Sequence, residues 1–340
     1  MSDPTHTPTI KPETRMESTR RAFRNGVEYA GMAAVLLLLV LLFGLLSDRF
    51  LSMLTFRLMA NQIPALVVIS VGMTYVLVIA GIDLSVGSVA AVSGGMLGVA
   101  LIGWHWPLWL AVVLGLGAGL AAGLINGGIT VRWSIPSFIV TLGMLEAARG
   151  LAYLITDSQS VYIGGGVDAI GAPIRGIGLS PAFFAALLSV IVAQVVLSRT
   201  VFGRYMVAIG TNEEAVRLSG IDPRPIQLAV FAIAGLTAGI GGVFQVAYLG
   251  SADPNAGIGM ELSAIAAVVI GGTSLMGGRG SVVNSFFGVL IIVVLQAGLA
   301  QIGATEPVKR LITGSVIVIA VIIDAYRRRW SLRSTESTTG

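Results

Sequence analysis

The chain has 340 residues, of which 55% are hydrophobic and only 11% are charged, and its mean hydropathy is +0.89. A soluble domain has about 45–50% apolar and about 25% charged residues, so this composition excludes a soluble enzyme. The absence of cysteine excludes disulfide frameworks and thiolate metal sites. The net charge of +4 is spread along the chain, which favours membrane orientation over nucleic-acid binding. The sequence therefore predicts an all-α integral membrane protein.

Apolar stretches that can span a membrane recur along the whole chain, since about 20 residues cross the hydrocarbon core. Ten are predicted, at 27–47, 63–80, 88–103, 107–131, 137–156, 180–198, 226–249, 261–275, 282–302 and 308–325. Cytoplasmic loops carry an excess of lysine and arginine. With a cytoplasmic N-terminus, 15 of these residues lie in inner segments and five in outer ones. We therefore expect about ten helices, with both termini in the cytoplasm.

The predicted spans divide the chain into three parts. Residues 1–26 form a polar, basic tail that we expect to be cytoplasmic and flexible, and residues 326–340 form a second basic cytoplasmic tail. The transmembrane domain between them covers 27–325 and contains a charged cytoplasmic loop at 199–225.

Two glycine-rich segments interrupt the apolar pattern, at 81–87 and 272–278, and each adjoins a short predicted span. They match at a constant offset of 191 residues, which leaves a true internal repeat and a chance match of glycines both open. Non-helical backbone at membrane depth is tolerated only where it is buried in protein or lines a cavity. The two breaks therefore indicate a transport site.

Few polar side chains fall in or beside the spans, and these are candidates for a translocation pathway. Asp83 can either brace its own turn through backbone N–H groups or contact a polar substrate. Glu146 and Arg149 lie on one helical face, so they can form an internal ion pair or line the pathway. Asn126 can anchor neighbouring helices. The candidate pathway residues are Asp83, Ser85, Asn126, Phe138, Glu146 and Arg149.

The outer loop before the eighth predicted span reads Asp253-Pro254-Asn255-Ala256-Gly257. Asp and Asn initiate turns, and Glu261 suits the first turn of a helix, which is a sufficient local explanation. The loop also lies where an external protein would dock. Asp253, Asn255 and Glu261 are therefore candidates for that contact.

The loop at 199–225 contains a short predicted helix. Thr211 and Glu214 have the spacing of a capping box, and Gly220, which Asp222-Pro223-Arg224-Pro225 follows, stops the helix. A charged helix of two turns is too short to cross a membrane. It either lies along the membrane surface or contacts a cytosolic partner.

The sequence lacks the motifs of an enzyme. It contains no phosphate-binding Gly-x-x-x-x-Gly-Lys-[Ser/Thr] loop, no Ser-His-Asp arrangement and no cluster of metal ligands. We therefore expect no catalytic residue, no metal site and no cofactor bound by this chain.

Four segments together resemble the permease subunits of ABC importers for monosaccharides, of the ribose, xylose, arabinose and galactose type. They are 81–87, 135–150, 203–220 and 261–280, and they follow the order of that family. The resemblance implies a non-catalytic, multi-pass subunit in the bacterial cytoplasmic (inner) membrane. Such a subunit forms the translocation pathway for a sugar.

The resemblance also implies partners. A second permease chain, identical or related, pairs with this one in the lipid membrane, and a cytosolic ATP-binding cassette protein binds ATP and Mg and hydrolyses the ATP. An external or periplasmic sugar-binding protein delivers the substrate, and no nucleic acid is involved.

The short helix resembles the coupling helix of importers, because Glu214-Ala215 and Gly220 match its pattern, although Val216 replaces a second alanine. The implied coupling residues are Thr211, Asn212, Glu213, Glu214, Ala215, Arg217 and Gly220.

Two alternatives stay open at the level of sequence. A permease of the same superfamily could carry branched-chain amino acids or nucleosides. An ion-gradient-driven carrier would need ionisable relays within its spans, and the few charged residues there offer little support for one.

Overall fold

The computed structural model describes residues 15–316 together with 318, 319 and 322, and side chains from residue 30 onward. Helices dominate this part of the chain. They are α1 (Arg15–Leu46), α2 (Met53–Gln62), α3 (Pro64–Val78), α4 (Val86–Ile102), α5 (Leu108–Trp133), α6 (Ser137–Ile155), α7 (Asp168–Gly171), α8 (Pro181–Arg199), α9 (Val201–Leu218), α10 (Arg224–Leu249), α11 (Met260–Ile270) and α12 (Val282–Gln301). Residues 306–316 are also helical. Two short strands, β1 (Val161–Tyr162) and β2 (Ser251–Ala252), pair antiparallel.

Five of the described helices, α5, α6, α8, α10 and α12, are long and apolar enough to cross a membrane. Helices α2 and α3 bend by 47° at their junction and count as a sixth span if they are taken together. The fold is therefore that of a helical integral membrane protein. Length and composition support five or six spans in the described part, and the count of ten stays a prediction.

Several helix boundaries differ from the predicted ones. Helix α1 begins at Arg15, so part of the predicted tail at 1–26 is helical. Helix α2 was not predicted at all. Helix α11 ends at Ile270 rather than at 275, and its 11 residues cover only about 17 Å, because a glycine-rich break follows. Residues 1–14 and the predicted tail at 326–340 lie outside the described part, as does most of 317–325.

Helix α10 lies at the centre of the fold and packs against α3, α4 and α5. Its contact with α5 is made by glycines. A Cβ atom on Gly235 would lie 2.6 Å from the Cα atom of Gly123, and one on Gly119 would lie 2.8 Å from the Cα atom of Gly239. Small residues let helix backbones approach this closely in membranes. The sequence analysis did not identify this contact, although the glycines of α5 recur every four residues.

Helices α3 and α11 end in the same way. In each, two backbone N–H groups bond back to the last turn and the first of the two residues has positive φ, which is the Schellman motif. At the end of α3, Ala80 N donates to Leu77 O and Gly81 N donates to Val76 O, each at 2.9 Å. At the end of α11, Gly272 N donates to Val269 O at 2.8 Å and Thr273 N donates to Val268 O at 3.1 Å. The two residues with positive φ, Ala80 and Gly272, are 192 residues apart. The glycine-rich sequences of the two breaks match at an offset of 191 residues, one fewer. The difference arises because Ala80 (φ 61°), rather than a glycine, occupies the position equivalent to Gly272 (φ 82°).

Helix α8 forms hydrogen bonds with both α3 and the start of α12. The side-chain Oε1 atom of Gln194 accepts hydrogen bonds from Val282 N at 2.8 Å and Val283 N at 3.2 Å, so it caps α12. At the preceding residue of α8, Tyr75 of α3 donates its hydroxyl to Ala193 O at 2.7 Å. A membrane helix thus adds to the cap that Ser281 gives α12, where the Ser281 hydroxyl accepts the Asn284 N–H at 3.3 Å.

Candidate functional site

Three segments meet at one point in the fold: the break at 79–85, the break at 271–281 and the end of the first part of α9. Gly278 N donates a hydrogen bond to Val78 O at 2.9 Å, which joins the two breaks directly. Gly210 of α9 lies against both, because a Cβ atom there would overlap the Val78 carbonyl and lie 2.5 Å from Gly278 N. A Cβ atom on Gly277 would lie 2.7 Å from Gly210 O. We call this contact of Val78, Gly210, Gly277 and Gly278 the glycine junction.

Helix α9 is interrupted directly after the glycine junction. Asn212 has the extended backbone angles φ −162° and ψ 96°, so a separate short helix covers 213–218. The Asn212 side-chain oxygen accepts the Ala215 N–H at 3.0 Å and caps that helix. Thr211 instead donates its hydroxyl to Val207 O at 2.8 Å, within the preceding helix. The predicted cap at Thr211 is therefore wrong by one residue.

The short helix ends as predicted at Gly220. Its φ of 85° and the bonds from Gly220 N to Arg217 O and from Ile221 N to Val216 O form a third Schellman motif. Val216 is buried and holds the helix against the protein, whereas Leu218 is 79% exposed. The predicted coupling residues Thr211, Asn212, Glu213, Glu214, Ala215, Arg217 and Gly220 are all exposed.

Two polar contacts stabilise the short helix. Glu214 pairs with Arg217 on its exposed face, so Glu214 does not complete a capping box. Glu213 accepts a hydrogen bond from Gln227 of α10 at 3.0 Å. A groove of about 800 Å³ lies between the short helix, the start of α10, the α5–α6 turn and the end of α3.

Asp83 stabilises the backbone of the first break. Its Oδ1 atom accepts bonds from Ser85 N at 2.8 Å and Ser85 Oγ at 2.6 Å, and the side chain is 1% exposed. Asn126 of α5 donates to Ser85 Oγ at 3.0 Å. The structure therefore brings Asp83, Ser85 and Asn126 together in one buried cluster, and Asp83 braces its own turn.

Helix α6 supplies two further partners for the same break, which sequence analysis missed. Ser137 Oγ accepts the Ile82 N–H at 2.9 Å, and Thr141 Oγ1 accepts the Leu84 N–H at 3.1 Å. Both side chains sit one turn apart on the first two turns of α6. Non-helical backbone at membrane depth needs polar partners. Two hydroxyl side chains four residues apart in an apolar helix are therefore the sequence pattern that could have predicted these contacts.

Arg149 does not form the predicted ion pair with Glu146 in the described part of the chain. Its Nη1 atom donates instead to Pro254 O at 2.5 Å and to Ala256 O at 2.9 Å, in the loop after β2. Glu146 is exposed on α6, and Phe138 on the same helix is 48% exposed. The partners of Arg149 lie more than 100 residues away along the chain, so local spacing could not indicate them.

The loop at 253–259 is ordered by its own side chains and by α6. Asp253 Oδ1 accepts the Asn255 N–H at 2.8 Å, as the turn prediction required, and Asn255 accepts the Tyr153 hydroxyl at 2.6 Å. Glu261 Oε1 accepts the Gly259 N–H at 3.1 Å, near the N-terminus of α11. The three predicted docking residues, Asp253, Asn255 and Glu261, therefore all stabilise this loop and the helix that follows it.

Broken helices at membrane depth are typical of membrane transport proteins. Residues 55–321 match the family described as the permease component of the branched-chain amino acid transport system, and the chain belongs to that family.

Several curated proteins are similar to most of the chain. The ribose import permease of Escherichia coli K12 is 35% identical over 320 residues, which are 92% of this chain and 98% of that protein. The fructose import permease of Rhizobium meliloti is 34% identical, with 87% and 84% of the two chains covered. The L-arabinose ABC transporter permease of Azospirillum brasilense is 35% identical, with 76% of each covered. No solved structure matches the chain.

Proposed function

We propose that this chain is the transmembrane subunit of an ATP-driven importer and forms the pathway for a sugar that an external binding protein delivers. The names of the similar ribose, fructose and arabinose permeases support a sugar over an amino acid or nucleoside as the substrate. The main structural support for the mechanism is the glycine junction. There Gly210, just before the short helix, contacts both the end of α3 and the break at 271–281.

The proposed assembly has three kinds of partner. A separate ATP-binding cassette subunit holds ATP and Mg and hydrolyses the ATP, and it contacts the exposed residues of the short helix. A second permease chain completes the pathway within the bacterial inner membrane. Ten spans with both termini in the cytoplasm place the short helix on the side of the cassette subunit and the loop at 253–259 on the outer side.

In this mechanism the short helix transmits movement to the breaks. The cassette subunits come together on binding ATP and displace residues 213–218. Gly210, just before the short helix, packs against Val78 and Gly278 without any intervening side chain. A shift of the short helix therefore moves the end of α3 and the break after α11 together. Packed helices of this kind move as rigid bodies between two states, inward-open and outward-open.

Five of the six candidate pathway residues divide into two groups, and Arg149 contacts the loop at 253–259 instead. Phe138 and Glu146 are exposed on α6 and can line a pathway shared with the second permease chain. Asp83, Ser85 and Asn126 are buried within this chain, so their role is to hold the break in shape. The pathway needs only weak contacts with the sugar, since the substrate must leave as well as enter.

Co-purification with a matched control tests the proposal. The tagged chain is extracted gently from its native membrane, alone and with Glu214→Ala and Arg217→Ala combined. The control combines Glu306→Ala and Lys309→Ala, another ion pair three residues apart (3.1 Å), in which Glu306 is exposed and Lys309 is partly buried. We expect an ATP-binding cassette protein to accompany the intact chain and the control but not the first variant. Its absence from the intact chain in every mild detergent would contradict the proposal.

A further inference from the structure

The loop at 253–259 descends along α4 and ends beside the first break. At its start, a Cβ atom on Gly98 would lie 2.8 Å from Ala252 Cβ. Near its end, a Cβ atom on Gly257 would lie 2.5 Å from Gly87 O. Gly98 and Gly87 are eleven residues apart on α4, which is about 16 Å along a helix. We call residues 253–259 the strap, because it covers this length of α4.

The lower end of the strap lies over the buried Asp83 cluster. Gly87, which Gly257 contacts, is only two residues beyond Ser85. Asp253, Ala256 and Gly257 line a small cavity together with Ala91 of α4, and this cavity is too small for a sugar. In the proposed orientation, the strap lies between the outer surface and the break.

The strap is fastened to α6 at its centre. The fastening is the half-buried Arg149, which donates to the carbonyls of Pro254 and Ala256, one on each side of Asn255. The Tyr153 hydroxyl adds a bond to Asn255 itself. Releasing these contacts frees the centre of the strap from α6 while β2 stays paired with β1.

We propose that the strap is the outer gate of the permease and that Arg149, assisted by Tyr153, is the residue that holds it closed. This inference rests on the proposed function. The gate opens when α6 and the strap move apart in the outward-open state, and it closes behind the incoming sugar. Arg149 is thus a positioning residue that acts through the strap backbone, and it does not bind the sugar itself.

Thiol accessibility tests the gate without requiring transport. The chain contains no cysteine, so a single Ala91→Cys substitution places one thiol beneath the strap. It is labelled in intact cells with a membrane-impermeant methanethiosulfonate, with Arg149 present and with Arg149→Gln. We expect labelling to accelerate about tenfold in the Arg149→Gln background, because hydrogen bonds to a charged group stabilise a closed state on that order.

A control and a gentler variant accompany this measurement. Ala186→Cys places a thiol at an equally buried alanine of α8, far from the strap, and its labelling rate should not change. Tyr153→Phe removes only the hydroxyl that bonds Asn255, so it should accelerate labelling at Ala91→Cys less strongly while leaving the fold intact. An unchanged labelling rate in both folded variants would overturn the gate.

Cross-linking the strap to α6 in the complete importer tests whether transport requires the strap to move. Tyr153→Cys and Asn255→Cys are bridged with a short bis-methanethiosulfonate, and uptake of radiolabelled ribose, fructose and arabinose is measured before and after reduction. We expect uptake to stop and then return with reductant. The control pair Tyr162→Cys and Ser251→Cys joins β1 to β2, which stay paired in the proposal, so it should not affect uptake.

The outcomes separate the gate from the proposed function. Uninterrupted uptake through the cross-linked strap would overturn the gate while supporting sugar import. Accelerated labelling in the Arg149→Gln variant, in a protein that imports none of the three sugars, would support the gate and contradict the assignment of these sugars.

Discussion

At the scale of single residues, several polar side chains in the described part of the protein bond to backbone that has left the helical path. Asp83 accepts the Ser85 N–H, Gln194 accepts the first N–H groups of α12, and Arg149 donates to the carbonyls of the strap. In water such groups could bond to solvent, but at membrane depth an unpaired backbone group costs several kcal/mol. A buried polar residue here is therefore first a partner for the backbone.

Asp83 gives a direct test of this view. Asparagine keeps the oxygen that accepts from Ser85 and removes the negative charge, so Asp83→Asn should retain sugar uptake within about threefold. Alanine leaves two donors unpaired and should cost about 1–3 kcal/mol of stability. Thermal unfolding in detergent and uptake in cells measure the two effects. Loss of uptake in a stable Asp83→Asn protein would show that the charge itself contacts the substrate or a proton.

Gln194 provides a second test at this scale. Gln194→Leu keeps the size of the side chain but removes the acceptor for two N–H groups of α12, so it should lower the free energy of unfolding by about 1–3 kcal/mol. Gln194→Glu keeps an acceptor at a helix N-terminus and should remain close to the parent protein. Thermal unfolding of both variants measures the difference, and equal loss in both would argue against capping.

At the scale of elements, helix contacts depend on which glycines face a neighbour. Gly123 of α5 touches the backbone of α10, whereas Gly128 on the same helix has no atom within 4 Å of an added Cβ. The same residue type therefore has opposite requirements five positions apart. The neighbour that each glycine faces, rather than the residue type itself, determines what a substitution does.

This difference predicts effects of opposite sign. Gly123→Ala forces α5 and α10 apart and should destabilise the protein by about 1–3 kcal/mol, the usual range for overpacking. Gly128→Ala only gains helix propensity and should stabilise it by up to about 1 kcal/mol. Thermal unfolding of the two purified variants compares them directly. A stabilised Gly123→Ala protein would mean that the close α5–α10 contact is not formed.

The interrupted helix α9 allows a similar comparison. Asn212→Ala removes the cap of the short helix, worth about 1 kcal/mol, so hydrogen exchange of residues 213–218 should accelerate about fivefold. Thr211→Ala removes only a bond within the preceding helix and should leave that exchange unchanged. Mass spectrometry of exchanged peptides distinguishes the variants. The reverse result would restore Thr211 as the cap.

At the scale of the whole molecule, the glycine junction joins three segments that lie far apart in the sequence. The end of α3 meets the break that follows α11 there, and Gly210 of α9 packs against both. In the proposed mechanism, movement of the short helix reaches α3 and this break together.

Gly210→Ala tests this arrangement. The added methyl group overlaps the Val78 carbonyl, so we expect the complex with its cassette subunit to assemble and hydrolyse ATP while sugar uptake falls about tenfold or more, because the two states are no longer connected. Gly143→Ala on α6 has free space around it and serves as the control. Full uptake by a folded Gly210→Ala protein would show that the junction does not transmit the movement.

Sequence reasoning was accurate where the cause is local. The membrane class, most helix positions, the stop at Gly220 and the turn at Asp253 follow from composition, periodicity and neighbouring residues. It was inaccurate where the cause is distant. The partners of Arg149 and the contact of Gly123 with α10 depend on segments about 100 residues away, and the offset of the two breaks was misjudged because an alanine takes a conformation that usually selects glycine.

Arg149 holds the strap through carbonyl groups, which every residue carries, rather than through particular side chains. Residues 254 and 256 can therefore be exchanged for others while the fastening stays the same. In the proposed gate, the outer surface of the strap can therefore vary in sequence while the contact that holds it closed stays the same.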